Sequence, residues 1–365
     1  MLNHSFLVII SITLFLAIYS VIISYVNGFP DNYVVLRLIR CLITSFCTGL
    51  FIINYPLKSE FIIKVISNTL GVHAVFIILQ IIFPQLQTAM MALTGFDKSI
   101  FMLRAFGLSA GFDSAGYLCI IGLFISIYSL IYTKVSISSI LYIYLFILAG
   151  VFTGRSVMVI MILVVILLNL YFLIKGKFLY KLFAIGNFGL GGYLAFTFIV
   201  PLLVATLPFL KDQNLISIAT NDMDYSQSFA SGSGDTLTEM FFIPKSIIGI
   251  LFGDAVNPLD SDVGYVKLIF MIGVIGLLLT LFIYVFIFIK AIILRATIKN
   301  STDVCDRIVY NSLISLIVCL FVFNVKTLYF MSRNFHEITL ILFLAVLNTH
   351  KIDQKVQLNN DIPYG

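Results

Sequence analysis

Ten apolar stretches, each close to the length of a bilayer crossing, fill most of this chain and leave it few ways to fold. They cover residues 5–26, 33–54, 61–83, 115–133, 136–153, 156–174, 181–201, 264–289, 308–325 and 335–349. A hydrocarbon core about 30 Å thick is crossed by about 20 apolar residues in a helix. Lipid offers no hydrogen bonds to the backbone, so only helices or a closed barrel can span it. The strict alternation of barrel strands is absent. The expectation is an all-α polytopic membrane bundle of about ten helices forming a single domain. Charged residues at 11% and a mean hydropathy of +1.10 exclude an ordinary soluble domain, in which roughly 25% are charged.

Two cuts within this pattern follow from length and flanking residues. The first stretch has no basic region before it and is followed by Asn27-Gly28-Phe29-Pro30 rather than a small-residue cleavage site. It is expected to stay as the first helix. The run from Val135 to Ile174 is about twice the length of one span, so it must turn at Thr153-Gly154-Arg155-Ser156. That keeps Arg155 at a membrane face and away from the bilayer centre, where it would cost about 2.5–3.5 kcal/mol.

Basic residues set the orientation. With the amino terminus inside, the cytoplasmic segments hold twelve basic and five acidic residues, and the opposite face holds ten and twelve. The bias is concentrated between Lys175 and Lys181 and between Lys290 and Arg307. Both termini, including the tail at 350–365, are therefore expected in the cytoplasm. The net charge of +5 reads as a topology signal rather than as affinity for nucleic acid.

The long polar interval, residues 202–263, falls on the outer side as a lid. From Pro201 to Asp262 it holds eight acidic residues against Lys211 and Lys245, and loops of this length in compact proteins are usually functional or disordered. Ser231 to Gly234 reads as a flexible turn, and Thr236-x-x-Glu239 has capping-box spacing for a short helix. Pro244 to Phe252 reads as a second, apolar helix ended by Gly253. Its face of Ile247, Ile248, Ile250 and Leu251 is expected to rest on the membrane or on the bundle. A smaller outer segment, 84–114, carries Arg104 between Phe101-x-Leu103 and Phe106, a pattern that suits the membrane interface.

Several cations lie at the outer helix ends: Arg37, Arg40, Arg104, Arg155, Lys326 and Arg333. Arg37 and Arg40, three residues apart, share one helix face. Charges at such depths face a bundle interior or an aqueous cavity, or else snorkel to head groups. Planar guanidinium groups suit bidentate binding of phosphate. Arg333, His336 and Glu337 have the i, i+3, i+4 spacing of one face of the last helix. His336 there is either a general base or a surface histidine paired with Glu337. His73, alone in mid-helix, reads as a packed, hydrogen-bonded residue. No metal-ligand motif, phosphate-cradling glycine loop or cysteine pair is present, so neither metal nor cofactor is expected. The five cysteines read as small apolar residues within helices.

Three short motifs carry a family resemblance. Phe252-Gly253-Asp254, Ser261-Asp262-Val263-Gly264-Tyr265 and Gly273-Val-Ile-Gly276 resemble the end of the large periplasmic loop of Wzy-type O-antigen polymerases. Thr153-Gly154-Arg155-Ser156 resembles a Gly/Ser/Arg signature at an outer helix end of that superfamily, and Arg104-Ala-Phe-Gly107 is similar to a third family feature. The resemblance implies a metal-independent membrane glycosyltransferase with a GT-C-like helical fold in the bacterial inner membrane. It implies undecaprenyl-diphosphate-linked oligosaccharide as donor and acceptor, with a chain-length regulator and a flippase as pathway partners. On this reading Arg37, Arg40, Arg104, Arg155 and Arg333 hold the diphosphate, Asp262 or His336 is the base, and Asp254 and Tyr265 shape the sugar site. The O-antigen ligase shares the architecture, and a flippase or secondary transporter is the rival from another class.

Overall fold

The computed structural model describes residues 4–55, 57–94, 104–109, 111–133, 136–175, 181, 239–258, 260–297 and 303–360, and it is helical throughout, with no strand among the described residues. The helices are α1 (His4–Val26), α2 (Asn32–Asn54), α3 (Ser59–Ile82), α4 (Pro84–Thr94), α5 (Phe112–Tyr132), α6 (Ile137–Val151), α7 (Arg155–Lys175), α8 (Ile247–Phe252), α9 (Gly264–Thr297), α10 (Val304–Phe323) and α11 (Phe335–Asn360). Six of them, α1, α2, α3, α5, α9 and α10, are long and apolar enough to cross a membrane. The chain is a multi-pass membrane protein. The apolar parts of α6, α7 and α11 fall on three further expected spans but are shorter. The tenth expected span, 181–201, lies outside the described residues apart from Lys181, and the loop motifs at 231–236 lie outside them, as do Phe101 and Leu103.

The chain packs as two units. One comprises Met1–Ser67, Tyr128–Ser136 and Thr238–Gly365, and the other Asn68–Ile127 and Ile137–Leu237. In the first, α1 packs on α2 and α9, α2 on α11, and α10 on both α9 and α11. Its helix starts are fixed by short polar side chains that accept otherwise orphaned N–H groups. Asp31 accepts from Tyr33 N, Asp303 from Cys305 N and Ser246 from Gly249 N. Asp31 also accepts from Asn257 N at 3.2 Å, which ties the start of α2 to the chain beyond α8.

Helix α9 is broken at Gly273, whose φ of 68° and ψ of −179° belong to a region open essentially to glycine alone. The end of α8 crosses there. A Cβ on Gly273 would lie 2.3 Å from Leu251 O, and one on Gly253 would lie 2.6 Å from Gly273 N. The break frees the Phe270 carbonyl from the helical ladder, and Asp254 N–H takes it at 2.8 Å. Neither the break nor the extension of α9 to Thr297 follows from hydropathy. Helix α8 begins at Ile247 and not at Pro244, because the Ser246 side chain makes the cap. Ile247 and Ile248 are 76% and 72% exposed, so these two side chains do not rest on the bundle.

In the second unit α6 packs on α7 across the expected tight turn at 152–154. Thr153 Oγ1 donates to Gly150 O at 2.7 Å, and both Thr153 and Gly154 are buried. The 104–109 segment is clamped from α3. Gln80 accepts from Phe106 N and Gly107 N and donates to Gly107 O, and His73 Nδ1 accepts from Leu108 N. Phe106 is fully buried against Phe112, with ring centroids 6.1 Å apart. The interfacial reading of Phe106 therefore fails, because its backbone is already paired inside the unit. His73 is the packed, hydrogen-bonded residue that its position implies: with Nδ1 accepting, Nε2–H donates to Ala115 O at 3.3 Å.

Candidate functional site

The polar centre of the first unit is built around the 324–334 connection between α10 and α11. Asn324 organises it. Its Oδ1 accepts from Tyr329 N and Phe330 N, its Nδ2 donates to Leu320 O, and its carbonyl accepts from Gly264 N. Leu328, Tyr329, Phe330 and Met331 are consequently buried, and Phe330 sits among the rings of Tyr265, Tyr284 and Phe321. Met331 and Asn334 take positive φ, 52° and 74°, and turn the chain into α11.

Arg37 enters from α2 and is 6% exposed. Its Nη1 donates to Tyr33 OH at 2.7 Å, and its Nη2 donates to Phe330 O at 2.9 Å and Leu328 O at 3.3 Å. Nε has no partner, and no carboxylate pairs with this guanidinium among the described residues. A buried cation normally needs both hydrogen bonds and a countercharge. Arg37 has the first without the second. Glu337, on the first turn of α11, shows the complementary shortage: its Oε2 is buried without a partner. Arg37 lies on α2, which packs on α11, the helix that carries Glu337.

His336 is 1% exposed and is held on both ring nitrogens. Ser45 Oγ lies 2.8 Å from Nε2, and Tyr284 OH lies 3.0 Å from Nδ1. The Tyr284 oxygen already accepts from Met331 N at 2.9 Å, so its own proton is directed at Nδ1, and Nε2–H is left to donate to Ser45. The histidine is a relay between α2, α9 and α11, neither a surface group nor a partner of Glu337. Arg333 is exposed while His336 is buried. The expected common helix face does not form, because α11 starts only at Phe335 and Asn334 breaks the periodicity ahead of it. Arg40 is likewise exposed while Arg37 is buried, although both lie on α2.

The remaining residues singled out from sequence separate by accessibility. Asp262 is exposed and lies 3.7 Å from the Lys267 ammonium. Asp254 is half-buried above Gly249, with its backbone N–H capping the break in α9. Tyr265 donates its hydroxyl to Phe321 O at 2.8 Å, so its phenol proton is committed to the protein. In the second unit, Ala105 N donates to Phe152 O at 2.8 Å. That bond brings the backbone of Arg104 beside the turn that carries Arg155, whose side chain lies outside the described residues. Sequence reasoning passed over Tyr284, Ser45 and Asn324, which read as ordinary members of apolar runs, and it treated Glu337 only as a neighbour of His336. No family model, curated protein or solved structure matches the chain.

Proposed function

We propose that this protein polymerises undecaprenyl-diphosphate-linked oligosaccharide repeat units at the outer face of a bacterial inner membrane. The acceptor sugar hydroxyl attacks the anomeric carbon of the growing glycan. The bond from that carbon to the lipid diphosphate breaks, and the hydroxyl proton passes to a carboxylate. The observation that carries this reading is the buried Arg37 on α2, with no carboxylate paired to it among the described residues, packed against the helix that carries the unpaired Glu337 oxygen. A fixed cation in low dielectric stabilises a leaving diphosphate, and a carboxylate without a partner is available as a base. Exposed Arg40 and Arg333 are free to reach phosphate oxygens, and in the second unit the backbone of Arg104 runs beside the turn that carries Arg155. Of the two bases proposed from sequence, His336 is committed to holding helices together, so Glu337 joins Asp262 as the candidate.

Replacing Arg333 or Arg155 by alanine should leave the protein inserted and abolish chain extension. Long-chain glycan at wild-type levels in either variant would remove the assignment. A deletion strain separates polymerase from ligase: loss of a polymerase leaves core carrying one repeat, whereas loss of a ligase leaves unsubstituted core. The broken helix α9 is a feature that a transporter would also carry. Its freed carbonyl is capped by Asp254 of the same chain, and α8 fills the crossing. Purified protein that lengthens synthetic lipid-linked repeats in detergent excludes transport alone.

A further inference from the structure

Three buried polar side chains of the second unit converge on one short stretch of backbone. His73 and Gln80 of α3 and Gln87 of α4 are 4%, 1% and 1% exposed. They stand seven residues apart, about two helical turns, and each reaches the 104–109 segment. His73 takes Leu108 N, Gln80 takes Phe106 N, Gly107 N and Gly107 O, and Gln87 Nε2 donates to Arg104 O at 2.7 Å. The segment therefore runs antiparallel to α3 and α4, with Arg104 at the rung made by Gln87. That rung differs from the others. The Arg104 carbonyl and the Ala105 N–H belong to one planar peptide group. Gln87 holds its oxygen, and Phe152 O, from the turn ahead of Arg155, holds its N–H at 2.8 Å. Burial of Phe106 anchors the segment, but apolar burial is non-directional and leaves the rotation of that plane open. The two hydrogen bonds close it, and so set the direction in which the half-buried Arg104 side chain leaves the backbone.

We propose that Gln87 is a positioning residue for Arg104 in glycan transfer. This rests on the reading that Arg104 holds the lipid diphosphate. A guanidinium stabilises a departing diphosphate when its fork is aimed at the oxygens on which charge develops, and Gln87 sets that aim through the backbone without touching substrate. The test is steady-state kinetics of the purified full chain on synthetic lipid-linked repeats in detergent, with thermal unfolding measured alongside. Q87M keeps the bulk of the side chain and removes its donor. It should lower kcat about tenfold and leave KM within about twofold of wild type. H73L removes the rung farthest from Arg104. It should cost at least as much thermal stability as Q87M and leave kcat within about twofold. R104K keeps the charge and loses the planar fork, so it should itself be slow. Residues that act through one another are not additive, so Q87M added to R104K should lower kcat by less than about twofold more. A full tenfold further loss on the R104K background would make Gln87 merely structural and overturn the proposal. So would equal losses of kcat in H73L and Q87M, a Q87M effect confined to KM, or wild-type kcat in Q87M or R104K. Each of these outcomes requires a wild type that lengthens repeats, so the polymerase reading survives them. A wild type that lengthens none overturns that reading and this proposal with it.

Discussion

Tyr284 is the residue through which the 324–334 connection, the start of α11 and the middle of α9 are held together. Its hydroxyl accepts from Met331 N and meets His336 Nδ1, and the ring packs 4.8 Å from Phe330. A phenylalanine there would keep the ring and strand two buried polar groups. Leaving one such group unpaired costs about 1–3 kcal/mol, so Tyr284→Phe should fall at the upper end of that range. Ser45→Ala removes one partner of His336 and should cost about 1 kcal/mol. Thermal unfolding in detergent should rank wild type above Ser45→Ala above Tyr284→Phe, and a Tyr284→Phe protein as stable as wild type would refute the relay. At this scale the sequence was legible only in part. The spacing of Arg333, His336 and Glu337 points to the start of α11, but the three do not form the common face that it implies. Which of them is buried depends on the left-handed residues Met331 and Asn334, and neither is a type that announces a turn as glycine does.

At the scale of elements, the crossing of α8 and α9 is the feature least visible in the sequence and most sensitive to change. Gly273 lies in a run that reads as one uninterrupted apolar helix, because hydropathy reports burial in lipid and says nothing about φ. Its conformation exists because Leu251 of α8 and Gly253 just after it press backbone against backbone at that point. A non-glycine residue held in such a conformation costs about 1–3 kcal/mol. At Gly273 the overlap with Leu251 O adds to it, and backbone cannot step aside as a flexible side chain can. Gly273→Ala should therefore lower the yield of folded protein and shift Asp254, whose N–H caps the freed Phe270 carbonyl. Gly111→Ala is the control, since the nearest described atom to a Cβ there is Ser114 Oγ at 3.4 Å, an ordinary contact. Unequal thermal stability, with Gly273→Ala the weaker, is the expected result. Equal stability would mean that α9 can straighten, and the break would then have no structural cause.

For the molecule as a whole, the apolar runs carried the helix positions well because one physical demand, length against bilayer thickness, acts on each of them alike. The tight turn at Gly154 came from the same demand. What length could not supply was the arrangement of side chains within a unit, which rests on pairings such as Asn311 with Tyr132 and Arg37 with the Phe330 carbonyl, between residues far apart in sequence. Orientation rests on a separate argument, the excess of lysine and arginine on one face. It predicts that Lys58 and Thr133, both exposed near helix ends, face the cytoplasm, and that Lys245 and Asp260, also exposed, face outward. Single substitutions Lys58→Cys, Thr133→Cys, Lys245→Cys and Asp260→Cys in a background freed of the five native cysteines make this testable with a membrane-impermeant maleimide. Intact cells with a permeabilised outer membrane should label Lys245→Cys and Asp260→Cys at once. The other two should label only after the inner membrane is opened. The proposed chemistry depends on that division, because a lipid-linked glycan that has crossed to the outer face meets only the groups exposed there. Labelling of Lys58→Cys and Lys245→Cys from the same side would put the Arg37 neighbourhood and α8 on the wrong face for that substrate, however well the residues are arranged.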